Sequence, residues 1–149
     1  MRIVVDSREQ NPIELGCETL RKGLSIGDYR GELDKNVFSR TVFERKSIGD
    51  LYGTLSKGYK RFKREIEKAA DKKLKLVIIV EGTLTKVLGG YKRSKRDPIS
   101  LVQQIFTIRA RYGVETVFCS SRAEMAQYIT CFFAAQKAKY LNSKREDAK

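Results

Sequence analysis

The chain has 149 residues, 41% hydrophobic and 33% charged, with 31 Lys+Arg against 18 Asp+Glu and a net charge of +13. That length suits one domain with a real core, and the apolar content excludes a disordered chain. The absence of histidine excludes His-based zinc sites and His general bases. No apolar run approaches the ~20 residues of a membrane helix, and the first residues lack a signal-peptide pattern. Cys17, Cys119 and Cys131 are odd in number and form no CxxC pair, as expected of free thiols in a reducing, cytoplasmic or nuclear compartment. The charge points to a polyanion, because clustered Lys and Arg release counterions from phosphates.

In chain order, Ile3-Val4-Val5 reads as a short buried strand that ends in Asp6-Ser7-Arg8-Glu9 and is broken by Asn11-Pro12. Residues 13–23 are expected to form a short irregular helix closed by Gly23. Tyr29–Leu33 and Val37–Phe43 read as a hairpin turned by Asp34-Lys35-Asn36. The second strand runs into Glu44-Arg45-Lys46. Period two puts Phe38, Arg40, Val42, Glu44 and Lys46 on one face and Phe43 and Arg45 on the other. Arg45 is therefore expected either to pair with Asp6 or Asp50 or to contact a substrate.

Ser47 as N-cap and Asp50 three residues later form a capping box, and the helix they open should break near Ser56-Lys57-Gly58. A second helix over Tyr59–Asp71 has Tyr59, Phe62 and Ile66 on its apolar side. Leu76–Val80 is a continuous apolar run, the mark of a strand covered on both faces of a parallel sheet. Residues 82–96 are expected to be a loop with a basic, glycine-hinged tip. Asp97-Pro98 then caps a helix that Gly113 ends. Val114–Cys119 is a further strand. Ser121 and Glu124 form a second capping box for a last helix with Met125, Ile129, Phe132 and Phe133 inward, and residues 142–149 are expected to fray. The order gives a single α/β domain with a mixed central sheet flanked by helices.

The chemistry lies at the end of the hairpin. An acid and a lysine two apart on one strand face, with Asp28 returned beside them, offer what phosphodiester hydrolysis requires: oxygen ligands for a divalent metal and a cation for developing charge. Mg²⁺ takes only one or two carboxylates and keeps waters for the rest. By itself this pattern is weak, and each member also has a plain reading. Asp28 suits a turn, Glu44 and Lys46 a surface ion pair, and Asp50 a helix cap.

The wider text is more specific. Val5-Asp6-Ser7-Arg8-Glu9, Gly27-Asp28 and Glu44-Arg45-Lys46-x-x-x-Asp50 spell GD…ERKxxxD, which resembles the nuclease domain of the XPF family of structure-selective endonucleases, within the PD-(D/E)xK superfamily. The resemblance runs from Ile3 to about Ala135 and implies a restriction-endonuclease-like fold. It implies Asp28 and Glu44 as ligands of Mg²⁺ or Mn²⁺, with the Arg45 carbonyl as a further oxygen and Lys46 orienting the attacking water. Asp6, Arg8, Arg45 and Asp50 would support the site or touch phosphate.

Branched or flapped DNA is the implied substrate. A Holliday-junction resolvase and a non-catalytic DNA-binding scaffold paired with another nuclease are the alternatives. Lys57, Tyr59, Lys60, Arg61, Lys63 and Arg64, and then Lys92, Arg93, Lys95 and Arg96, are the candidate DNA contacts; Lys68, Lys72 and Lys73 read as a solvated face. The resemblance further implies a homodimer or heterodimer through the late helices, which an exposed Phe132 or Phe133 would favour. The helicase or tandem helix-hairpin-helix domains usual in the family do not fit in this length.

Overall fold

The computed structural model describes residues 1–149 and contains one six-stranded mixed sheet with helices on both faces. The strands are β1 (Arg2–Asp6), β2 (Glu18–Lys22), β3 (Tyr29–Asp34), β4 (Val37–Ser47), β5 (Lys75–Glu81) and β6 (Glu115–Cys119), in the order β2-β1-β3-β4-β5-β6. β3 is antiparallel to both β1 and β4, whereas β4, β5 and β6 run parallel, as do β1 and β2. The helices are α1 (Ile48–Leu55), α2 (Tyr59–Asp71), α3 (Leu84–Leu88), α4 (Pro98–Tyr112) and α5 (Arg122–Asp147).

Strand alternation divides the core into two layers. Val42, Leu76, Ile78 and Val80 face α1, α2, α3 and α4, where they meet Leu51, Leu55, Phe62, Ile66 and Leu101. Ile3, Val5, Tyr29, Phe43, Val77 and Ile79 face the other way onto Met125, Ile129 and Phe133 of α5. β5 is therefore apolar from Leu76 to Val80 because helices cover both its faces. No helix is long and apolar enough to cross a membrane.

Four expectations are corrected. The predicted helix over 13–23 is instead a turn at Gly16, with φ +71, followed by β2, a strand paired with β1. Glu18, Arg21 and Lys22 are exposed on this edge, so the segment has no apolar alternation to announce a strand. Residues 82–96 contain α3, capped by Thr83 and anchored by the fully buried Val87. The second capping box forms only by half: Ser121 Oγ accepts from Glu124 N, but the Glu124 carboxylate accepts from Ser120 N and Oγ. The polar tail continues α5 to Asp147, and Lys144 reaches Asp34 at 3.4 Å.

The hairpin and the first capping box form as expected. Asn36 adopts the left-handed conformation in the turn, with φ 58. Ser47 Oγ accepts from Asp50 N at 3.0 Å, and Asp50 Oδ2 from Ser47 N at 3.4 Å.

Candidate functional site

The β3–β4 ladder ends with Tyr29 opposite Phe43, and Asp28 and Glu44 are the next residues of the two chains beyond that pair. The two carboxyls are near enough for the charge of Asp28 to raise the Glu44 pKa. Backbone bonds hold Asp28 from both sides: its N–H donates to Phe43 O at 2.7 Å, and its carbonyl accepts from Asp6 N at 2.8 Å. Gly27 enters with φ +74, and a Cβ there would lie 3.1 Å from Val42 Cβ, so glycine is needed where the chain passes this closely over β4. Asp28 Oδ2 accepts from the Arg45 backbone N–H at 2.8 Å.

Glu44 carries the most unusual atom in the site. Its Oε2 is buried with no hydrogen-bond partner, and Lys46 Nζ, 3.5 Å away, lies at ion-pair distance only. Burial pushes the Glu44 carboxyl up to about 7; Lys46 opposes the shift, while the charges of Glu65 and Asp28, and a hydrogen bond that the protonated carboxyl shares with Glu65, add to it. Asp28 rises to about 6, first through burial, with the Arg45 N–H opposing and Glu9 and Asp6 adding. A pair of buried carboxyls held this close to neutral is a site short of positive charge.

An orphaned buried oxygen beside a second carboxylate fits a divalent cation with oxygen ligands. No cluster of three acidic groups is assembled. Two carboxylates are nonetheless enough for Mg²⁺, which keeps waters on its other positions.

The neighbouring motif residues serve mainly to hold the site in place. Asp6, 3% exposed, accepts from Leu24 N at 3.0 Å and Arg8 Nε at 2.9 Å, and Arg8 also donates to Leu24 O at 2.7 Å. The two side chains thus tie the segment after β2 to the end of β1. Arg45 faces away from Glu44 as expected, but its partner is Glu9, at 3.3 Å, rather than Asp6 or Asp50. Glu9 also accepts from Tyr29 OH at 3.2 Å, so the two bonds secure the strand end behind Asp28. Asp50 caps α1 and also lines the cleft.

That cleft, about 440 Å³, is bordered by Lys46, Asp50, Gly53, Arg61, Phe62 and Glu65. Glu65 is the residue that sequence reasoning missed. It lies one turn beyond Arg61 on α2, and that i, i+4 spacing from a residue already singled out was its only signal.

The candidate DNA contacts separate. Arg61 lines this cleft, and Lys57, Arg93 and Lys95 line a second cleft across α1. Lys60, Arg64 and Lys92 are exposed outside both, and Lys63 is half-buried. Two of the candidates are committed to the fold. Tyr59 packs against the core. Arg96 donates to Leu55 O at 2.9 Å and Gln104 Oε1 at 2.7 Å, closing the end of α1 against α4.

The late helices differ in how much apolar surface they leave exposed. Phe133 is fully buried and Phe132 half-buried, both edge-on to Phe43. The most exposed large apolar side chains lie instead on α4, where Ile99 is 70% and Phe106 55% exposed.

A mixed α/β sheet with paired carboxylates and a lysine at one strand end defines the class. Residues 5–132 match the ERCC4 domain, and the chain belongs to that family. Among solved structures it is similar to XPF from Aeropyrum pernix, at 23% identity and TM-score 0.70 over 90% of this chain and 66% of that one. It is also similar to XPF from Aeropyrum pernix in complex with DNA, at 24% identity and TM-score 0.71 over 93% and 65%. The chain thus spans about two thirds of the length of these structures. No curated protein matches it.

Proposed function

We propose that the protein is a metal-dependent DNA endonuclease that hydrolyses phosphodiester bonds in branched or flapped DNA. One observation carries this reading: the buried Oε2 of Glu44, without a hydrogen-bond donor, near Asp28 and at ion-pair distance from Lys46, which lines the neighbouring cleft of a +13 protein. The family and the DNA complex of a similar fold support it.

Asp28 and Glu44 would hold Mg²⁺ or Mn²⁺, with the Arg45 carbonyl adding an oxygen. The metal supplies Lewis-acid polarisation of the phosphate and lowers the pKa of water. Lys46, on the same strand face, orients the attacking water and offsets charge that grows on the phosphate. Arg61 meets the phosphate backbone from the other wall of the cleft. Glu9 and Tyr29 hold Arg45, and hence the peptide whose N–H fixes the Asp28 carboxylate. Asp6 and Arg8 fix the adjoining loop. The dimer implied by the resemblance would use α4, through Ile99 and Phe106.

The test is cleavage mapping on labelled flap, fork and four-way-junction DNAs, with Mg²⁺ and with EDTA. Single cuts near the branch of flaps and forks, only with metal, are expected. Symmetric paired cuts restricted to the four-way junction would instead identify a resolvase. Metal-independent cutting, or binding without cutting in Mn²⁺, would overturn the reading.

A further inference from the structure

A second cleft, about 460 Å³, lies against the same helix α1 as the catalytic one, and the two share Gly49 and Gly53. Its walls include Ser56, Lys57, Tyr91, Arg93 and Lys95, and no acidic side chain lines it. None of the three basic side chains is in an ion pair. Ser56 Oγ is buried here with no hydrogen-bond partner.

The aromatic wall is held in place. Tyr52 is fixed by its hydroxyl, which donates to Val87 O at 2.6 Å; the half-buried Tyr91 packs one side against the core, its ring 6.0 Å from that of Tyr52, and its remaining surface lines the cleft. Tyr91 crosses α1 at Gly49, where a Cβ would come 2.7 Å from its hydroxyl oxygen. One turn later, a Cβ on Gly53 would meet nothing within 4 Å, so the ridge between the clefts is bare. A trough therefore runs from Lys46 and Arg61, over the glycines of α1, to Tyr91 and its three cations.

We propose that this trough seats an unpaired, single-stranded segment of DNA, with its phosphates on Lys57, Arg93 and Lys95 and a base against Tyr91. A basic groove combined with an aromatic face is how proteins hold single strands without reading sequence. A blunt duplex hides its base faces in its own stack and offers Tyr91 nothing. The inference deepens the endonuclease reading by naming the strand form that leads into the catalytic cleft.

The experiment is fluorescence anisotropy in EDTA, so that no cleavage occurs, with a labelled oligothymidylate of about 12 nucleotides and a blunt duplex of equal length. Base stacking on an aromatic ring is typically worth enough that Tyr91→Ala should lose about tenfold in affinity for the oligothymidylate. Its duplex affinity should change less than about twofold, since only the unpaired strand presents a base face. Gly53→Glu places a carboxylate on the ridge at a position with open space. It should weaken oligothymidylate binding while its melting temperature holds or rises, because glutamate favours helix more than glycine does. Equal losses for duplex and single strand, or no loss in either variant, would overturn the inference. Flap cleavage by the wild type is scored separately. Cleavage with insensitive binding rejects the trough alone, and a functioning trough without cleavage rejects the endonuclease reading alone.

Discussion

Replacing Glu44 by glutamine should stabilise the metal-free protein at alkaline pH. The Glu44 carboxyl moves from its ordinary 4.5 to about 7 in the fold, chiefly because it is buried. Its folded value lies above its unfolded one, so the stabilising form is the protonated one. That contribution is complete below about 4.5 and is lost as pH rises through about 7. Two and a half pH units at 1.36 kcal/mol each make the ionised carboxylate cost about 3 kcal/mol at pH 8.5. Glutamine removes the charge but also leaves Lys46 without its partner, so the net gain is about 1–3 kcal/mol. For a domain of this size, that is a rise of roughly 3–9 °C in Tm.

The assay is thermal unfolding by circular dichroism in EDTA at pH 5 and pH 8.5. At pH 5 Glu44 is already mostly neutral, so the two proteins should melt closely together. Adding Mg²⁺ at pH 8.5 should raise the wild-type Tm and leave the variant nearly unmoved. A variant that melts at or below the wild type at pH 8.5 in EDTA would refute the argument that Glu44 is a charge held for a cation.

Three further outcomes follow from the geometry. Gly31→Ala should destabilise by about 1–3 kcal/mol, since its Cβ would fall 2.6 Å from the Phe133 ring; Phe133→Leu in the same chain should recover part of that loss in a double-mutant cycle by chemical denaturation. Arg96→Ala should lower stability by about 1–2 kcal/mol in a urea titration through its lost bonds to Leu55 and Gln104, and leave DNA affinity within about twofold. Ser47→Ala should lower Tm by a few degrees, corresponding to about 1 kcal/mol for a lost N-cap, because Asp50 N loses its acceptor.

Much of the site could be read from the chain because it rests on short-range rules. Period two separates Glu44 and Lys46 from Arg45, and the hairpin, whose register ends with Tyr29 opposite Phe43, brings Asp28 back to the same strand end. Ser47 and Asp50 are three apart, so their capping box is local. What was not legible depended on distant partners. β2 is a strand only because β1 supplies its ladder, and Glu9 holds Arg45 from 36 positions away. Glu65 becomes a wall of the cleft beside Lys46 only when α2 packs against α1 and β5. Arg96 looks like one more cation in a basic loop until the end of α1 arrives beneath it.

The most direct test of the central claim is the single-turnover rate of cleavage of a labelled 3′-flap DNA in Mg²⁺ by the wild type, Asp28→Ala and Lys46→Ala. Each side chain touches the step itself, so each variant should be slowed at least about a hundredfold while keeping its fold and its DNA affinity. Equal rates for all three proteins would contradict the account.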